Sequence, residues 1–304
     1  TDYDRTLGTV SAEDIRKDME EVKQIRSDLD NMDSRLLSKD QLLTYTILSS
    51  YINTLLSSDG LELYDQPLST TLGIQSQLPV LLTEYAFYDK EDVEHYLTLL
   101  SDIDRYFEQI LAFEKERSAA GLFMTDTCAD EIISQAQPYL LSAEHNLMGT
   151  EFNAKIDAME GLNAEEKKAF KEQNQQVVTE HFIPAYKALL EGLEALKGTG
   201  TNAEGICQFP DGKLYYQYLV DSSIGPTYQT MDDLQKAIKD QIDDSLSAMS
   251  QIMKQNPEIN DELDQFHFSE SDPEKILSLL KGAVSEDFPE VNGYEYVTKY
   301  VPKE

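Results

Sequence analysis

Lys90-Glu91-Asp92-Val93-Glu94-His95-Tyr96-Leu97-Thr98-Leu99-Leu100-Ser101-Asp102-Ile103-Asp104-Arg105-Tyr106-Phe107-Glu108-Gln109-Ile110 opens a run to Ala120 that decides the fold. Val93, Leu97, Leu100, Ile103, Phe107 and Ile110 recur at spacings of three and four, which is the period of one helix face. Gly121 follows as a C-terminal cap. The pattern predicts one long helix over 90–120.

The same period extends outward on both sides. Towards the N-terminus, Ser11 with Asp14 starts a helix whose face is Ile15, Met19, Val22, Ile25 and Leu29. Ser38 with Gln41 starts another, with Leu42, Tyr45, Leu48, Ile52 and Leu55 as its buried stripe. Residues 61–89, holding Pro67, Gly73 and Pro79, read as a long connection with a short helix over 80–87. Towards the C-terminus, Asp126 or Thr127 caps a helix that Pro138 kinks or breaks, and Asn163 with Glu166 starts a long one that Pro184 kinks. Thr230 with Asp233 caps a helix with face Leu234, Ile238, Ile242, Leu246, Met249 and Met253. Pro273 suits the first position of a short last helix. Residues 294–301 alternate enough to read as a strand or extended arm. The expected fold is all-α: an elongated multi-helix bundle of long kinked helices with a short extended C-terminal segment. Two domains are expected, 1–200 and 201–304, with one continuous domain as the alternative.

Charge narrows the function. With 57 acidic and 25 basic residues the formal charge is −32. A nucleic-acid binder is excluded, because no basic patch is available to displace counterions from a polyanion. Attachment through anionic lipids is disfavoured for the same reason. No apolar run approaches the roughly 20 residues that span a bilayer. The sequence opens at Thr1 with no Met and no signal-peptide core, so an expressed piece or a mature product, with any targeting segment removed, is expected. Cys128 and Cys207 form neither a disulfide framework nor a zinc knuckle, and whether they pair is left open.

Chemistry-bearing motifs are scarce. His95, His145, His181 and His267 stand alone, and none belongs to a His-Glu-x-x-His pair. There is no Gly-x-Ser-x-Gly elbow, phosphate-cradling loop or dinucleotide fingerprint. Paired acids such as Asp243-Asp244 are expected by chance among so many carboxylates. The most specific stretch is Gly205-Ile206-Cys207-Gln208-Phe209-Pro210-Asp211-Gly212-Lys213-Leu214-Tyr215-Tyr216-Gln217-Tyr218-Leu219. Pro-Asp-Gly is turn chemistry, with the glycine read as accepting positive φ. The three tyrosines supply aromatic surface for a core or a cleft. Asp211, Lys213, Tyr215 and Tyr216 are the substrate-cleft candidates; no catalytic or metal-binding residue is assigned.

These residues carry a resemblance. Gly205–Leu219 resembles the Pro-Asp-Gly-Lys-x-Tyr-Tyr stretch of the bacterial family called domain of unknown function 885. Leu78-Pro79, Phe87 and Asp92–Leu97 resemble its Leu-Pro…Phe…Asp-x-Glu-x-Tyr-Leu block. Arg117 to Gly121 resembles its Arg-x-x-x-Gly turn, and Pro184-Ala185-Tyr186 its Pro-x-Tyr helix. Glu286–Pro289 and Val301–Glu304 resemble the lead-in to its second half. Ala237 departs from the glycine usual there.

The resemblance implies a helical zinc metallopeptidase of the gluzincin type, with the zinc held by a His-Glu-x-x-Pro-Gly-His segment C-terminal to these residues. No position here matches that segment. The chain is therefore expected to be the non-catalytic N-terminal helical portion of such a hydrolase, forming part of the substrate-cleft wall and inactive alone. Its expected partners are the C-terminal catalytic half of the same polypeptide and a peptide substrate, with zinc in that missing half. The alternative is a stand-alone helical binding module of an exported lipoprotein; a free-standing enzyme using carboxylates alone is a third reading. The resemblance also implies a secreted or lipid-anchored, extracytoplasmic bacterial location.

Overall fold

Ser11 caps the first helix, α1 (Ala12–Asp30), its hydroxyl accepting the Asp14 N–H at 2.9 Å. The computed structural model describes residues 5–200, 202–225, 228, 230–267, 269–284, 288, 289 and 298. Every regular element among them is helical. The extended segment expected over 294–301 lies, Thr298 apart, outside the described residues.

The chain divides into two units, Thr1–Thr227 and Tyr228–Glu304. In the first, α1 pairs with α2 (Lys39–Leu56), which the Ser38–Gln41 capping box starts as expected. The helix expected over 80–87 is instead α3 (Ile74–Glu84), with Pro79 inside it. Proline has no N–H for the carbonyl four residues back, which here is Gln75. That carbonyl accepts the Tyr186 hydroxyl at 2.8 Å instead, so the helix runs through Pro79 with its acceptor satisfied.

The helix expected over 90–120 is divided at Asp102 into α4 (Lys90–Ser101) and α5 (Ile103–Ala119). Asp102 holds the N-terminal segment there. One carboxylate oxygen accepts the Leu7 N–H at 2.9 Å, and Arg105 grips both oxygens while donating to the Gly8 carbonyl at 2.8 Å. Thr125, rather than Asp126 or Thr127, caps α6 (Asp126–Ala136), and Pro138 ends it in a 3₁₀ turn, Gln137–Leu140. Next come α7 (Leu147–Ala158) and α8 (Ala164–Val177), the latter with the expected Asn163–Glu166 box. The kink expected at Pro184 is a π-helical turn, Val178–Phe182, leading into α9 (Ile183–Leu196).

One face of α4 and α5 builds the core: Val93, Leu100, Ile103, Phe107 and Ile110 are at most 1% exposed. They pack with Phe182, Tyr186, Leu189 and Leu193 from the 178–196 arm. Phe107 meets Tyr186 edge-on at 4.8 Å, and Tyr96 stacks on Phe152 at 5.3 Å. The stripe expected to be buried on α2 is not: Leu42 and Leu48 are exposed, and Ile52 alone is buried. After α10 (Gly212–Ile224), the second unit holds α11 (Met231–Gln255), α12 (Ile259–Gln265) and α13 (Pro273–Val284). On α11 only Leu234 of the apolar face is buried; Ile238, Ile242, Leu246, Met249 and Met253 are exposed.

Candidate functional site

Gly205 starts the signature stretch at φ +95°, a conformation open to glycine. A 3₁₀ turn, Ile206–Gln208, follows, and Gly212 is the first residue of α10. Gly212 has no positive φ, so the turn chemistry read from Pro-Asp-Gly needs correction. Its role is close approach: a Cβ there would lie 1.7 Å from the Ile206 carbonyl oxygen.

The stretch docks on the long 61–89 connection. Within the 3₁₀ turn Glu62–Tyr64, the Tyr64 hydroxyl accepts the Asp211 backbone N–H at 2.8 Å. The Tyr64 ring lies 5.4 Å from Tyr215 and meets Phe209 edge-on at 6.2 Å; Tyr218 lies 5.8 Å from Tyr215. Leu61 and Leu122 complete this cluster.

Beside it lies a buried ion pair. Arg117 Nη1 donates to both Glu114 oxygens at 2.9 and 2.8 Å, and the two residues are 2% and 0% exposed. Arg117 also donates from Nε to the Leu63 carbonyl and from Nη2 to the Leu122 carbonyl. One guanidinium thus fastens α5 to the segments on either side of it. Burial pushes the Glu114 carboxyl above the ordinary carboxylate range, opposed by Arg117. Burial likewise pushes the Tyr215 hydroxyl up, with the Asp65 charge adding to it.

A cavity of about 340 Å³ opens between these segments, lined by Thr70, Arg117, Met124, Cys128, Ile206 and Phe209 among others. The four candidates are placed apart from it. Tyr215 is buried against Tyr64, Asp211 offers its backbone to Tyr64 while its side chain is exposed, and Lys213 and Tyr216 are exposed. The stretch reaches the cavity through Gly205, Ile206 and Phe209 instead. Arg117 entered the sequence reading only as part of a turn, and Tyr64 not at all. A lone Tyr in a connection carries no local signal for a partner 147 residues away. Cys128 and Cys207 are both free thiols.

A larger cavity, about 430 Å³, lies between α7 and α8 and takes no residue from the stretch. It is lined by Asn153, Asp157, Lys167, Lys171 and Asn174, and the Oδ1 atoms of both asparagines have no partner. Among the described residues no three His, Cys, Asp or Glu side chains converge as a metal-ligand set. His181 instead pairs its Nδ1 with Asp104 at 2.5 Å, and His145 meets Ser142 at 3.1 Å. Among the described residues no helix is long and apolar enough to cross a membrane.

The model of a bacterial family of proteins of unknown function, DUF885, matches residues 1–289. No curated protein matches the chain. Among solved structures, it is similar to the crystal structure described as "the putative lipoprotein from Colwellia psychrerythraea", at 16% identity and a TM-score of 0.79. The alignment covers 91% of this chain and 51% of that one, so the present chain spans about half the length of that relative. At this identity the likeness concerns the fold, an all-α arrangement of many helices.

Proposed function

The chain belongs to the bacterial DUF885 family of unknown function, and on that premise we propose that it is the non-catalytic N-terminal helical portion of a longer hydrolase. In this reading the whole protein is a zinc metallopeptidase-like enzyme whose metal is held by the other half. The segment 205–219 then helps to build the wall of the cleft that receives a peptide. One observation carries the reading: a relative of the same fold is about twice as long as the part this chain matches. The 340 Å³ cavity beside Phe209 and Arg117, within the usual size range for a small-ligand site, supports a role in the wall. Export and lipid anchoring are part of the proposal, supported by the name of the Colwellia protein.

That same name favours a second reading, a helical binding module of an exported lipoprotein without hydrolytic activity. Peptide hydrolysis and bound zinc, measured on the protein purified from its native host, separate the two. Chelator-sensitive hydrolysis supports the enzyme; a stably folded, zinc-free protein that binds peptide without cleaving it supports the module.

A further inference from the structure

Helix α2 is built for surroundings that the rest of its own unit does not give it. From Gln41 to Ser57 it holds no charged residue, in a protein where 27% of residues are charged and four or five would be expected over that length. Leu43, Ile47 and Tyr51, at spacings of four on one face, are 62%, 59% and 60% exposed. Leu42 and Leu48, flanking that face, are exposed as well, while Ile52 is buried. Large apolar side chains gathered on one uncharged outer face form the kind of patch that marks an interaction surface. Three of the helix's hydroxyls are satisfied within it. The hydroxyls of Thr44, Thr46 and Thr54 donate to the carbonyls of Asp40, Leu42 and Ser50 in their own helix, which lessens their call on water.

We propose that the outer face of α2, centred on Leu43, Ile47 and Tyr51, docks the remaining half of the longer polypeptide. The inference rests on the reading of this chain as one half of a longer protein. The related chain, about half of it covered by this one, supplies an occupant of sufficient length. A second copy is the weaker occupant, since it would bring −32 against −32. A membrane surface fits poorly too: Lys39 is the only basic residue on α2, where interfacial helices carry many. Helix α10 packs against α2, so docking there would place the added half next to the signature stretch.

The test introduces Ile47→Cys into the native-length protein and into the 304-residue chain. Maleimide labelling at that position is then read by peptide mass spectrometry. The expected result is rapid labelling in the 304-residue chain and at least about tenfold slower labelling in the native-length protein. Ile47→Glu provides a second reading. It should leave the melting temperature of the 304-residue chain within about 2 °C of wild type, as for an exposed site, and lower that of the native-length protein by more. Equal labelling in the two forms overturns the docking surface while leaving the half-protein reading intact. A native mature protein of 304 residues by intact mass overturns both. Protection of the introduced thiol in the 304-residue chain that rises with its concentration assigns the face to a second copy. Protection by phosphatidylcholine–phosphatidylglycerol vesicles assigns it to a membrane. Either result overturns the proposal.

Discussion

The Tyr186 hydroxyl donates a hydrogen bond to the Gln75 carbonyl, the acceptor that Pro79 leaves without its helical partner. Burial holds the Tyr186 pKa well above the usual range, so the hydroxyl stays a donor. Two sequence blocks that looked unrelated, Leu78-Pro79 and Pro184-Ala185-Tyr186, are therefore halves of one device. The proline removes a donor from α3, and the tyrosine of α9 restores one.

Tyr186→Phe strands a carbonyl whose residue is fully buried, and should cost about 1–3 kcal/mol in urea unfolding. In a Pro79→Ala background residue 79 regains an N–H that can reach Gln75, so the same change should cost less than about 1 kcal/mol. A double-mutant cycle measures the difference. Equal costs in both backgrounds would mean that the hydroxyl is not replacing the lost helical donor.

Gly212→Ala should destabilise the protein by about 1–3 kcal/mol, because the new Cβ meets the Ile206 carbonyl, which is backbone and cannot swing aside. Asp211→Ala keeps the backbone N–H that Tyr64 accepts and should stay within about 0.5 kcal/mol of wild type. Urea midpoints of the two variants, measured side by side, check both expectations. A neutral Gly212→Ala would remove the steric reason for glycine at that position.

Tyr215 and Tyr216 should separate cleanly. Tyr215→Ala empties a buried site between Tyr64 and Tyr218 and should cost about 3–5 kcal/mol. Tyr216 is 48% exposed, and its replacement by Ala should leave the thermal midpoint nearly unchanged. If the wall reading holds, Tyr216→Ala raises KM for peptide in the native-length protein; an unchanged KM would take Tyr216 out of the cleft.

The Glu114–Arg117 pair makes a pH prediction. With its folded-state pKa raised, Glu114 holds a proton more tightly in the folded than in the unfolded chain. The stability it contributes is present below the ordinary value of about 4.5 and is lost as pH rises through the raised folded value. The stability advantage of wild type over Glu114→Gln should therefore shrink as pH rises across that window, read by urea midpoints at successive pH values. An advantage that grows with pH would show that Arg117 outweighs burial. Arg117→Ala, which leaves the carboxylate buried without its partner, should cost about 3–5 kcal/mol.

Helix starts were legible in the sequence wherever the signal is local. Ser11, Ser38, Asn163 and Thr230 cap through atoms two or three residues away, and all four cap where expected. The division at Asp102 was not legible, because the apolar period continues across it, and the Asp102 bond to Leu7 reaches 95 residues back in sequence. Burial failed for a different reason. Period shows that α2 and α11 have apolar faces, but not what lies opposite them. At the candidate site the signature stretch was recognisable, while its docking to Tyr64 and the cavity beside Phe209 depend on segments far apart in sequence. Among its tyrosines, nothing local distinguishes buried Tyr215 from half-exposed Tyr216.

We propose that these residues form a non-catalytic half of a longer zinc-dependent hydrolase. The most direct test compares hydrolysis of a quenched fluorescent peptide library by the native-length protein and by the 304-residue chain, each with and without a chelator. Chelator-sensitive hydrolysis is expected from the native-length protein and none from the 304-residue chain. Chelator-sensitive hydrolysis by the 304-residue chain, or none by a folded, zinc-supplied native-length protein, would contradict it.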